Sequence, residues 1–470
     1  GTFTSGRDFW LLTGGGNDTV TYSGTLTAKN AYLMLGRGND TLTIQRGTIS
    51  ATAGDATAGD VLFDLGDDSD TLNELTISGT VVASRDVLIY KLPQTDFSAV
   101  VGISQTVSLT PGNLVRVTTG NRPAVYEYIG AIVSMDLGSA TYSNTLLWRE
   151  TSVNPTNTGQ TVVAVTGAGT LTAGRDIDIW TGGGDDSIAV ASLLKAQRDV
   201  RIQTGNGTDV ISLPTGIQAV AGAVLIDFGD SPIRTVQTLD IANITAGTDI
   251  AIKASGRADF AVAVAQNLVA GRDLLIQSDQ GADSVEVRGI LTAGRNATLT
   301  TGTGTDAVEI KGTLKAVTGS LLVDLGTGLL GDTQTFDIRA GDIIAGANIT
   351  LQAAGPAGTA LNVIGGMTAG GALTVTTGSG KDVLRVTKDL LSGGAMAIST
   401  GANSDTIKVL GDMTSTAGLI LVDMGVGGSS GGRPGAPDTL AVGGSLDANT
   451  SLTITNAGSF GAVVGIAGSV

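Results

Sequence analysis

A single phrase, repeated with small changes along almost the whole chain, constrains the fold more than any other feature. It reads Leu171-Thr172-Ala173-Gly174-Arg175-Asp176-Ile177, with clear relatives at Arg7-Asp8, Arg85-Asp86, Arg198-Asp199, Thr248-Asp249, Arg272-Asp273 and Arg295-Asn296. Weaker copies lie around Asn30, Gly59, Gly222, Gly319, Asn348, Ala372, Ala395, Gly418 and Thr450, which makes 16 units with a commonest step of 23 residues. Self-similarity at this period marks a chain built of stacked units, none of which can bury its apolar face alone. Inside a unit the apolar residues alternate. Ile177 and Ile179 precede a Gly-rich turn, Ile188 and Val190 follow it, and Leu194 opens the next stretch. Period two marks strands with one buried face. Three short strands per unit with glycine at the corners describe one coil of an all-β parallel β-helix, or solenoid. Sixteen coils at about 4.8 Å each make a rod of roughly 75–80 Å. The general crossover preference sets the expected hand as right.

Composition supports this reading and removes others. Glycine takes 70 of 470 positions but proline only 9, and 41% of the chain is apolar, which excludes collagen and argues against disorder. Aromatics are only 4% of the chain, so Val, Ile, Leu, Ala and Thr must fill the interior, as suits thin stacked strands. With no cysteine and no histidine, zinc, haem and thiol chemistry are not expected. A net charge of −16 disfavours nucleic acid and anionic membranes and favours bound cations. No run of residues approaches a membrane span, and Gly1-Thr2-Phe3-Thr4-Ser5 does not read as a signal peptide. Because it starts in mid-pattern, the sequence reads as cut from something longer.

The coils fall into sets of four. The first two of a set carry a Gly-rich turn. The third replaces it with an Asp-hydrophobe-Gly phrase (Asp64-Leu65-Gly66, Asp227-Phe228-Gly229, Asp324-Leu325-Gly326, Asp423-Met424-Gly425), and the fourth lacks the acidic turn. Sets beginning near Asp176, Asp273 and Ala372 are 97 and 99 residues apart, whereas the first set contains about 70 residues more. The expected organisation is therefore solenoid over 1–99, an inserted β module over 100–170, and solenoid over 171–470. The insert holds Tyr126, Tyr128, Tyr142 and Trp148, an enrichment that suits either a small aromatic core or a ligand site.

The Gly-rich turns are where chemistry would sit. They follow Thr-Gly-x-Gly-x-Asp-x-apolar and end in four successive pairs: Asp18 with Asp40, Asp186 with Asp209, Asp283 with Asp306, and Asp382 with Asp405. Glycines permit exposed backbone carbonyls, aspartate adds an anionic oxygen, and two turns stacked one coil apart could together supply the six to eight oxygens that calcium takes. Without a cation, the stacked carboxylates would repel. The alternative is a plain tight corner with aspartate capping backbone. In the third coils the aspartates, among them Asp227 and Asp324, are expected to replace the column of Thr13, Thr181 and Thr204, either as further cation ligands or as turn caps.

These turns resemble the RTX calcium-binding repeats of secreted bacterial proteins, most clearly at Gly15-Gly16-Asn17-Asp18-Thr19-Val20 and Gly38-Asn39-Asp40-Thr41-Leu42. That resemblance implies calcium held between successive coils. The departures are a threonine in place of the first glycine, one turn per coil, and degenerate turns before Asp283 and Asp405. The Ala-Gly-Arg-Asp phrase is similar to repeats of filamentous-haemagglutinin-type adhesins, and the insert resembles a short module of giant bacterial surface proteins. Arg and Asp at this corner are expected to form an exposed ladder, with stacked Arg and Asp alternately pairing.

Read together, these features suggest a calcium-stabilised rod or stalk of an extracellular, cell-surface adhesin. The alternative is a metal-free filament, sheath or surface-layer subunit stacking end to end. Partners would be calcium, further copies or flanking repeats, and a surface ligand reached through the insert. An enzyme is not expected, because each aspartate is explained by its place in the repeat. An ice-binding face is not expected either, since threonine columns are not sustained over many coils.

Overall fold

The computed structural model describes residues 1–91 and 159–470, apart from stretches at 53–57, 67–70, 232–234, 427–436 and 458–461. Between 92 and 158 it describes six strands by their backbone.

Every named element is a β-strand, and the long axis is built by three parallel sheets of 16 strands each. Consecutive strands belong to different sheets, so the chain circles through all three before returning to the first. One coil shows the scheme. Thr170–Ala173 lies in the first sheet, Ile177–Trp180 in the second and Ser187–Val190 in the third. Leu194–Ala196 then returns to the first sheet, with Thr172 opposite Lys195 and Ala173 opposite Ala196. The chain is thus a β-solenoid of 16 coils, as its periodicity predicts.

Alternation explains why each strand stays where it is. Leu171, Ala173, Ile177, Ile179, Ile188 and Val190 all point inward and are at most 2% exposed. Like residues of the other coils join them in one continuous core. A slip of one residue would turn every inward side chain of that strand to solvent. Where the interior widens in the third and fourth coils of a set, Phe228 and Phe260 fill it, their rings 5.4 Å apart and edge to face.

The insert has sharper limits than the repeat count suggests. Val87–Tyr90 is still a solenoid strand, and Gln160–Val165 already pairs with Leu72–Ile77 on one side and Ser187–Val190 on the other. The solenoid therefore runs to 91 and resumes at 160, not 171. The segment between contains a four-stranded sheet (Phe97–Val101, Leu114–Val117, Ala124–Tyr128, Trp148–Thr151) and a two-stranded one (Thr106–Leu109 with Val133–Asp136). Its aromatic side chains lie outside the described residues. At the neck, the fully buried Lys91 donates from Nζ to the carbonyl of Gly159 at 2.8 Å, tying the exit of the chain to its return.

Candidate functional site: the aspartate column

The Gly-rich turns join the second sheet to the third. Six of the eight begin with a threonine in an interior slot (Leu35 and Ser278 take it before Asp40 and Asp283) and all end with an aspartate, as in Thr181 to Asp186 and Thr204 to Asp209, four residues at most 2% exposed. The glycines between them serve stacking. Gly205 has φ +79°, and a Cβ there would lie 1.8 Å from the carbonyl oxygen of Gly182 in the coil before. Gly207 meets Gly184 in the same way, and Gly302 meets Asp279. The carbonyls that could have faced a cation are thus seated on the Cα atoms of the next turn. Only glycine permits that approach.

The structure brings all four expected aspartate pairs together, one coil apart, in a column that is buried from Asp40 on and half-buried at Asp18. The backbone N–H of Asp18 donates to Asp40 Oδ1 at 2.8 Å, that of Asp186 to Asp209 at 2.9 Å, that of Asp283 to Asp306 at 3.0 Å, and that of Asp382 to Asp405 at 2.9 Å. The first aspartate of a pair does the same for the coil before it. Asp186 accepts from Thr161, Asp283 from Phe260 and Asp382 from Thr359, at 2.7–2.8 Å. In the third coils the column passes to residues that the turn pattern does not reveal. Asp40 donates to Asn73 Oδ1 and Asp405 to Asp438 Oδ1, both at 2.9 Å. Gln237 and Gln334 stand in the same register, each with Nε2 on a carbonyl of its own loop. Polar-x-apolar at Asn73, Gln237, Gln334 and Asp438 was the available signal, but loops of different length hide its spacing.

The second carboxylate oxygens have poorer company. Asp209 and Asp382 receive 2.7 Å bonds from Thr204 and Thr377. By contrast, the buried Oδ2 atoms of Asp18, Asp186, Asp283, Asp306 and Asp405 accept no well-formed hydrogen bond, although the hydroxyls of Thr181, Thr301 and Thr400 lie close enough to Asp186, Asp306 and Asp405 to favour their charged forms. Burial without a counter-ion disfavours charge. It pushes Asp186 up to about 8, helped by the neighbouring Asp209 and opposed by Thr181, Thr161 and the Lys91 ammonium. Burial likewise pushes Asp209, Asp306 and Asp405 up to about 7, and Asp283 and Asp382 up to about 6.

Asp227 and Asp324 do not join this column. Asp227 aligns with Gln203 and Trp180, and Asp324 with Thr300, so both stand one residue before the threonine slot on the outward face. The slot itself is taken by Phe228 and Leu325, just as Leu65 and Met424 take it after Asp64 and Asp423. The expected replacement of the threonine column is therefore off by one position, which on a strand means the opposite face. All four aspartates cap their own turn, accepting from the N–H two residues on (Gly66, Gly229, Gly326, Gly425) at 2.8–3.2 Å.

A second column stands at the corner between the first and second sheets, where the Arg-Asp phrase falls. Arg85 Nε donates to Asp60, Arg175 to Asp86, Arg198 to Asp176, Arg272 to Asp249 and Arg295 to Asp273, at 2.6–2.8 Å, and Nη2 reaches the other carboxylate oxygen in each case. The pairing is as expected, but the ladder is not exposed throughout, since Asp60, Asp86 and Asp176 are buried, and it has a function added. The same Oδ1 accepts the N–H of the next coil, as Asp199 to Asp176 at 3.1 Å and Asn296 to Asp273 at 3.2 Å.

For calcium, then, the donors at hand are one inward Oδ2 per coil, with Oδ1 already holding an N–H and the turn carbonyls stacked on glycine. No group of three or more acidic side chains able to hold a metal occurs among the described residues. That arrangement falls short of the six to eight oxygens calcium takes. The oxygens that are already bonded serve as a column of backbone caps. Set against protein-family models, curated proteins and solved structures, the chain finds no match.

Proposed function

We propose that this chain is a rigid structural rod of an extracellular surface protein or filament, in which the aspartates pin coil to coil and need no metal. The observation that carries the reading is Asn73. It caps Asp40 as Asp209 caps Asp186, with the same 2.9 Å bond, so a neutral amide does the column's work. Supporting it, acid groups that an enzyme would need are spent on caps and arginine pairs. An adhesin stalk and a self-stacking filament both fit a metal-free rod, with the insert as the candidate contact for a surface ligand.

A second reading keeps calcium, on the strength of the unbonded Oδ2 atoms of Asp186 and Asp306. One experiment separates the two. Small-angle scattering and a circular-dichroism melt are recorded in excess EGTA and in millimolar calcium. The metal-free rod keeps a length of about 75 Å and one melting temperature in both. A rise of several degrees with calcium that disappears in Asp186→Asn would replace it with the calcium reading.

A further inference from the structure

The outer face of the third sheet carries a row of charge that changes sign along the rod. By strand register the row reads Glu286, Glu309, Asp337, Asn362, Arg385 and Lys408, one residue per coil. The acids are neutralised where they stand. Lys311 reaches Glu286 at 2.8 Å, and Arg339 reaches Glu309 at 3.0 Å and Asp337 at 3.3 Å. Beyond Asn362 the balance is lost. Arg385 and Lys408 are exposed, and neither makes an ion pair among the described residues. At the change of sign the surface is dented by a groove of about 450 Å³, lined by Asp337, Arg339, Asn362, Ile364, Arg385 and Thr387. Asn362 and Ile364 belong to the coil between those of Arg339 and Arg385, so two guanidinium side chains flank shorter ones.

We propose that this groove binds a carboxylate-bearing sugar of an anionic polysaccharide, with the Arg385 guanidinium on the carboxylate. Each wall supplies one part of the recognition. Arg385 offers a planar fork of donors that matches a carboxylate in two parallel bonds. Asn362 gives Nδ2 to Asp337 at 2.8 Å, which keeps its Oδ1 as an acceptor for a sugar hydroxyl. Thr387 has its N–H on the Val363 carbonyl, and its own hydroxyl adds a further polar contact. Ile364 is 54% exposed and presents an apolar surface to the C–H face of a pyranose ring. An acidic peptide would use the arginine but has no ring hydroxyls for Asn362 and Thr387. A polymer also fits the spacing. Lys408 stands in the row one coil beyond Arg385, about 4.8 Å on, close to the length of one sugar ring, so successive carboxylates meet successive cations. The net charge of −16 repels polyanions at a distance, but physiological salt screens that beyond about 8 Å, and the acids nearest the groove are already paired.

Isothermal titration calorimetry of the full chain in EGTA tests this, with hexamers of galacturonate and of alginate, the methyl ester of the first, and hexaglutamate. At least one uronate hexamer should bind with a dissociation constant below about 1 mM, and the ester should not bind. Arg385→Gln should weaken the binding at least about tenfold, the loss of one charge-assisted pair, and Lys408→Gln should weaken it less. Ile364→Asp sets a negative charge on the floor of the groove and should abolish it. Lys195→Gln removes the same charge as Lys408→Gln from an exposed place on the first sheet and should change nothing. All of these side chains are exposed, so an unchanged melting temperature separates a lost contact from a lost fold. Failure of both uronates to bind overturns the proposal, as does equal binding of the ester or unaltered binding in Arg385→Gln or Ile364→Asp. Hexaglutamate binding as tightly as the uronates overturns it too, because the occupant would then be an acidic peptide.

Discussion

Replacing Asp186 by asparagine should stabilise the rod by an amount that is near zero only below about pH 4 and grows steadily into mild alkali. Asn keeps an Oδ1 for the Thr161 N–H and, unlike aspartate, cannot ionise. The folded chain holds Asp186 near pH 8, against 3.8 for the free group, because burial resists its charge. Between those values the folded state binds the extra proton, so stability falls as pH rises from about 4 and the loss is complete above about 8. Four pH units at about 1.4 kcal/mol each put the loss on the order of 5 kcal/mol. The arginine-paired Asp249 and Asp273 act with the opposite sign, since pairing lowers both and their contribution is lost only in stronger acid. Comparing the variant with its parent between pH 5 and 9 cancels them. Hydrogen exchange over 177–213, corrected for the intrinsic rate and run in EGTA, reads the local opening free energy. The expected result is a difference of about 1.5 kcal/mol at pH 5, roughly tenfold in protection, that grows to about 5 kcal/mol, a thousandfold or more, at pH 9. A variant that loses protection at both pH values would refute the reasoning, because the carboxylate would then be needed as a charge, as a metal ligand must be.

Three other outcomes follow from the same geometry. Gly205→Ala drives a methyl into the Gly182 carbonyl at a left-handed φ and should cost at least about 2 kcal/mol, read as a lower melting temperature. Arg198→Ala uncovers Asp176, which is 2% exposed, and should cost about 1–2 kcal/mol, whereas Arg295→Ala, whose Asp273 is 30% exposed, should cost well under about 1 kcal/mol in the same melts. Lys91→Met removes the one cation that lowers Asp186. Carboxyl NMR should show Asp186 titrating higher than in the parent, with faster exchange at Gln160 and Thr161 beside the neck.

The solenoid was legible because its signals are periodic and redundant. Alternating residues such as Ile177 and Ile179 recur in every coil, and no single irregularity hides them. The aspartate column was half legible. Spacing placed Asp186 above Asp209, but it could not say whether the side chains point to solvent, where they would gather cations, or inward, where they meet N–H groups. Burial decides that, and burial depends on the glycine stacking that brings Gly205 against Gly182. Asp227 and Asp324 show the same limit more sharply. Their phrase matches the turn motif in composition, yet Phe228 and Leu325 outcompete them for the interior slot, and the reading slips by one residue. The outward row of Tyr32, Leu62 and Leu88 escaped notice because these look like ordinary strand residues until the register shows them facing out.

The two columns together suggest why a long stack of near-identical coils keeps its register. Along the aspartate column the side chain of the later coil reaches back to the N–H of the earlier one, as Asp209 does to Asp186. Along the Arg-Asp corner the earlier coil reaches forward, as Asp176 does to Asp199. A coil shifted by one residue would break caps in both directions and leave buried N–H groups unpaired, at about 1–3 kcal/mol each. Toward the end of the chain the forward-reaching caps move to the third corner, where Asp389 receives Asp412 and Asp412 receives Ser445, after Asn348 has received Ala372 at the first. Hydrophobic alternation alone tolerates a slip of two residues, because it restores the pattern of inward faces. The caps do not, since each turn places one buried aspartate against one N–H of the coil before it. In this chain apolar burial supplies the stability, and the buried acids supply the register.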